Sequence, residues 1–192
     1  MRKALSIKII DYITPAQCRA ARALLGITQS ELAEAASLGL STVIDFEKER
    51  RRVSSQAIKA MQDALKRAGI AFSGGGAAVA SSSARSPFAT ILGESPHKGL
   101  KAKKKGGSLS SAQIRAARAL LRWSAQDLAR ESALGVNTIR RAEVAEEGIS
   151  LTVANELAIR RALEAAGVLF IDENGGGSGV RFRERSKEKT RK

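Results

Sequence analysis

At 192 residues, 43% hydrophobic but only 4% aromatic, the chain can bury one ordinary core or two small ones, and its alanine- and leucine-rich apolar fraction is the composition of packed helices. A formal charge of +14 and a pI near 10.6 point to polyanionic partners, and no segment is long enough to span a bilayer, so nucleic acid comes before membrane. One cysteine (Cys18) and one histidine (His97) rule out an intrachain disulfide and a cysteine–histidine zinc site, and no catalytic constellation is left, so no enzymatic activity, cofactor or metal is expected.

The opening MRKALSIKII has no apolar run followed by a small-residue cleavage site, which predicts a cytoplasmic protein. A first helix is read from Cys18, Ala21 and Leu25, spaced i, i+3, i+7. Thr28 to Glu31 (TQSE) is a capping box that opens a second helix with Leu32, Ala33 and Ala36 inward. Gly39 breaks the chain before a third helix that turns Val43 and Phe46 to the core. A fourth starts at Ser54 or Ser55, carries Ile58, Met61 and Leu65, and stops at Gly69. Two helices joined by a tight turn form the helix-turn-helix pattern.

Residues 73 to 110 are rich in Gly, Ser and Lys and read as a flexible basic linker. The short apolar stretch Phe88 to Leu92 within it is weak evidence of docking. Beyond it the chain repeats itself. The heptapeptide RAARALL stands at 19–25 and again at 115–121, and residues 16–47 overlay residues 112–143 without a gap, roughly half of the positions being identical. After a two-residue insertion, 60–72 overlays 158–170. A unit of about 60 residues present twice is a duplicated domain, since solenoids use more copies of a shorter unit. In the second copy Ile114, Ala117 and Leu121 repeat the first stripe, Ser124 to Asp127 repeats the capping box, and Ile139 and Ala142 face inward after Gly135. Ile159 and Leu163 follow on a fourth helix that stops at Gly167. Val168 to Ile171 and Val180 to Arg183 then flank a Gly-rich loop and read as a β-hairpin.

Two charges fall where apolar residues belong. Arg22 lies on the inward stripe of the first helix and Glu47 on the inward side of the third, and the second copy keeps both as Arg118 and Glu143. Inward charges need partners, so the expectation is two structural ion pairs, Arg22 with Glu47 and Arg118 with Glu143.

These residues carry a resemblance. RALLGITQSELA followed by STVIDFEKERRR resembles the Xre family of regulators, the lambda-repressor and Cro type of helix-turn-helix, and the second copy's ALEAAGVLFIDENGGGSGVRFR is similar to the tail of bacterial members. The resemblance covers about three quarters of the chain and implies an all-α fold of two tandem four-helix lambda-repressor-like domains, the second followed by a short β-hairpin. The expected organisation is a first helix-turn-helix domain at 1–72, the linker at 73–110, a second such domain with the hairpin at 111–183, and a disordered basic tail at 184–192.

In that family the third helix lies in the major groove and the second helix opens against a phosphate. Carried onto this sequence, the implied DNA-binding residues are Thr28, Gln29, Leu40, Ser41, Asp45, Lys48, Arg50, Arg51 and Arg52 in the first copy. In the second they are Val136, Asn137, Thr138, Arg140 and Arg141. Arginine can grip guanine and asparagine adenine, so the second copy has the better chemistry for base readout. The flanks reverse that ranking: KERRR (48–52) can clamp phosphate, whereas VAEEG (144–148) repels it, and Gln29 is matched by Ala125. A coil of 38 residues spans roughly 34 Å, close to the ~34–36 Å between adjacent half-sites, so one chain can act as its own dimer. The expected function is sequence-specific DNA-binding transcriptional regulation through the major groove by one or both third helices. The alternatives are an antitoxin-like interaction module that also autoregulates, and a nonspecific nucleic-acid binder. Double-stranded DNA is the implied partner, self-association through the helix-turn-helix domains and a toxin are further candidates, and no membrane is involved.

Overall fold

The computed structural model describes residues 12–73, 76–79, 108–144, 151–172 and 177–183. Eight helices are defined among them. In the first half they are α1 (Pro15–Leu25), α2 (Gln29–Ala35), α3 (Leu40–Lys48) and α4 (Ser55–Arg67), and in the second α5 (Ser111–Leu121), α6 (Ala125–Glu131), α7 (Val136–Val144) and α8 (Val153–Ala165). The two sets run 11, 7, 9 and 13 residues in the same order.

Local chemistry fixes the starts. Thr14 with Gln17, Thr28 with Glu31, Ser110 with Gln113 and Ser124 with Asp127 form reciprocal capping boxes at α1, α2, α5 and α6. Each satisfies two amide groups that the first turn leaves over. Ser54 and Thr152 cap α4 and α8 from one side only. The Ser124 hydrogen bonds to Asp127 hold its carboxyl below the usual carboxylate range.

The fold is mostly helical, but the all-α expectation needs correction. Strands β1 (Ile70–Ser73), β2 (Gly76–Val79), β3 (Val168–Ile171) and β4 (Gly179–Phe182) form one antiparallel sheet in the order β1-β2-β4-β3. β3 and β4 fall where the sequence predicts a hairpin. β1 and β2 do not: Ser73 and residues 76–79, assigned to the linker, belong to the sheet. The Gly-Ala-Ala-Val of β2 has little strand propensity of its own, and its place is made by close approach to β4. A Cβ on Gly76 would stand 2.3 Å from the Arg181 Cβ, and one on Gly179 would stand 2.5 Å from the Ala78 Cα. At the other end of the expected linker Leu109 is buried and Ser110 caps α5, so both belong to the second half, while residues 74–75 and 80–107, with Phe88–Leu92, His97 and Lys101–Lys105, lie outside the described residues, as do 145–150 and the tail 184–192.

The halves share one core. α1 packs along α5, and the buried cluster takes Ala20, Ala21 and Leu24 from one and Ile114, Ala116 and Ala117 from the other, together with Ala77 and Val180 of the inner strands. Small residues at the crossing let the two helices come close. The contacts are reciprocal. Ala77 pairs with Val180, Gly179 lies against Ala78 as Gly76 lies against Arg181, and the Gln17 Nε2 donates to the Gly76 carbonyl as the Gln113 Nε2 donates to that of Gly179. Exchanging the halves leaves the β2–β4 pairing unchanged, as in a two-fold, isologous contact.

Candidate nucleic-acid interface

Both expected ion pairs form. Arg22 donates from Nε to Glu47 Oε1 at 2.7 Å and from Nη2 to Oε2 at 2.9 Å, and Arg118 meets Glu143 in the same bidentate way at 2.6 and 2.9 Å. The third nitrogen ties the turn after the helix, Arg22 Nη1 reaching the Ile27 carbonyl at 2.8 Å and Arg118 Nη1 that of Trp123 at 2.7 Å. Each pair therefore locks three things together: the first helix of its half, the turn that leads to the second, and the inner side of the third. No buried side-chain nitrogen or oxygen among the described residues lacks a partner.

With their inner sides held, α3 and α7 turn their other sides outward. Val43, Phe46 and Glu47 are buried on α3, and Ile139, Ala142 and Glu143 on α7. Leu40, Ser41 and Lys48 are exposed on α3, and Asn137, Arg140 and Arg141 on α7, while Thr138 is half-buried. Leu40 is 44% exposed, a large apolar side chain left in solvent at the helix entrance. Its counterpart Val136 is half-buried against the core, so the two entrances differ. Asp45 is also half-buried, and its carboxylate stands 3.8 Å from the Arg51 guanidinium, which offsets its repulsion of phosphate. Arg50, Arg51 and Arg52 are exposed beyond the end of α3.

Two expected phosphate-facing residues are otherwise engaged. Thr28 is exposed, but its amide and hydroxyl both bond Glu31 within the cap. Gln29 is half-buried and donates to Glu47 Oε2 at 2.7 Å, joining the Arg22 pair as a third donor. Ala125 cannot do this, so Glu143 lacks that donor.

The sequence reading missed a second set of arginines. Arg19 donates from Nη1 to the Glu47 carbonyl at 2.6 Å and from Nε across the halves to the Ala119 carbonyl at 3.1 Å. Arg115, its repeat partner, donates to the Glu143 carbonyl. Burial lowers the pKa of both, and Arg122 beside Arg19 adds to the effect there. Their signal was in view: a cation kept in both copies where about half the residues changed. Gln17 and Arg19 lie about 200° apart around α1 and contact the sheet and the end of α3 respectively, so these lie on opposite sides of the helix.

Cys18 is fully buried and its thiol is pushed up, by burial first and by Glu47 second, which suits packing and not nucleophilic chemistry. Among the described residues no His, Cys, Asp or Glu group is placed to hold a metal ion, and no helix is long and apolar enough to cross a membrane.

A helix-turn-helix family model matches residues 19–68, from the start of the Arg19 contacts to the end of α4. No curated protein and no solved structure matches the chain. The match supports a DNA-binding regulator in general, through a helix-turn-helix in the first half.

Proposed function

We propose that the chain is a sequence-specific DNA-binding transcriptional regulator in which both halves are lambda-repressor-like helix-turn-helix domains and α3 and α7 enter successive major grooves of one duplex. The observation that carries this reading is the pairing of a locked inner side with a free outer side on both helices, Glu47 against Ser41 on α3 and Glu143 against Asn137 and Arg140 on α7. The reciprocal contacts support the use of one duplex.

The halves then divide the work. α7 offers Asn137, Arg140 and Arg141, suited to adenine and guanine edges, while α3 offers Leu40 and Ser41 with a phosphate clamp from Lys48, Arg50, Arg51 and Arg52. Selection of random duplexes by the full-length protein at physiological salt tests this. Arg140→Ala is expected to cost about 1–3 kcal/mol at one base position and to relax the motif there. Arg51→Ala is expected to weaken all sequences alike and to reduce the salt slope by about one. An unchanged motif with Arg140→Ala refutes the assignment of α7, and a wild type that selects no motif leaves nonspecific binding. A second reading, protein contact by the second half as in an antitoxin, is favoured by Val144, Val153 and Leu157, which are 76%, 75% and 44% exposed.

A further inference from the structure

The two halves differ at one corner. The chain leaves α1 through Gly26, with φ 68°, and leaves α5 through Arg122, with φ 59°. A left-handed residue with a Cβ is unfavourable, and glycine is the easy occupant. What Arg122 gains is reach. Its Nη2 donates to the Glu47 carbonyl at 2.8 Å and to Glu49 Oε1 at 2.9 Å, and both acceptors lie in the other half. Glu49 is itself left-handed, φ 55°, at the cap of α3. The Glu47 carbonyl thus takes two guanidinium groups, those of Arg19 and Arg122, at the negative end of the α3 dipole. Glu49 Oε1 stands 4.0 Å from Arg19 and 2.9 Å from Arg122, which offsets the repulsion between the two cations. At the opposite corner Gly26 has no side chain to extend toward α7, and Arg115 serves the Glu143 carbonyl within its own half.

Resting on the reading that α3 and α7 meet one duplex, we propose that Arg122 is a positioning residue: it fixes the end of α3 against α5, and so sets which separation of half-sites the protein accepts. Among the described residues the clamp is one-sided: α3 is the reading helix tied to the opposite half, and Arg115 ties α7 to its own.

The test uses the full-length protein on three duplexes: its selected site, and that site with one base pair added or removed between the half-sites. One base pair shifts the half-sites by about 3.4 Å and turns them by about 35°. Wild type is expected to lose roughly tenfold in affinity on either altered duplex, the scale of a lost base contact. Arg122→Gly suits the left-handed turn, so its helical circular dichroism should match wild type. It is expected to bind the selected site within about threefold of wild type and to lose only about threefold on the altered ones. Glu49→Gln should fall between, because the Glu47 carbonyl still holds Arg122. If Arg122→Gly keeps the wild-type spacing penalty, or weakens equally on all three duplexes, the inference is overturned while the reading of one duplex stands. A wild type indifferent to spacing overturns that reading, and the inference with it.

Discussion

Replacing Arg22 leaves the Glu47 carboxylate, 2% exposed, without its bidentate partner. Stranding one member of a buried pair costs about 3–5 kcal/mol, so Arg22→Met is expected to lower the free energy of unfolding in urea by that amount. Arg118→Met is expected to cost a similar amount, because Glu143, though 9% exposed, lacks the second donor that Gln29 gives Glu47. Losses under 1 kcal/mol would contradict the account. The pairs were legible in the sequence because each charge sits on an apolar stripe in both copies, and a stripe shows which side faces inward. Arg19 and Arg115 were not, since their partners are backbone carbonyls, and a carbonyl leaves no letter in the sequence. Gln29 was assigned to phosphate from the resemblance, while its side chain is bonded to the Glu47 carboxylate.

At the level of elements, capping boxes and glycine stops mark the helices well, and the hairpin of the second half is readable from Val168 to Ile171 and from Val180 on. The strand pair of the first half was hidden by β2, whose glycine and alanines lack the branched side chains that announce a strand. What those small residues provide is proximity. Gly179→Ala would place a Cβ 2.5 Å from the Ala78 Cα and 2.6 Å from the Ala77 carbonyl oxygen, neither of which can swing aside. The expected result is a loss of roughly 1–3 kcal/mol, the usual penalty of overpacking, with the β2–β4 ladder opened first. Thermal unfolding of the variant checks it, and a melting temperature equal to wild type would count against the close approach.

For the molecule as a whole, the duplication was plain in the sequence, but the union of its copies was not. A repeat shows which residues correspond; it does not show which ones touch, and two tethered domains or one joined body would give the same alignment. The shared core makes a test simple, because Trp123 is the chain's only tryptophan and lies in the second half. Its fluorescence and the far-ultraviolet circular dichroism of the helices should trace one coincident transition, as in cooperative two-state unfolding. Separate midpoints would mean that the halves unfold independently. The register between β2 and β4 has a further consequence. Because Ala77 meets Val180 in a contact that is its own mirror partner under exchange, that surface does not distinguish whether both strands come from one molecule. Two molecules could therefore trade halves with every bond preserved, giving a swapped assembly that carries two copies each of α3 and α7. The 28 residues between Val79 and Ser108 hold the halves at an effective concentration on the order of millimolar, so closure within one molecule prevails at dilution and the swap belongs to crowded solutions.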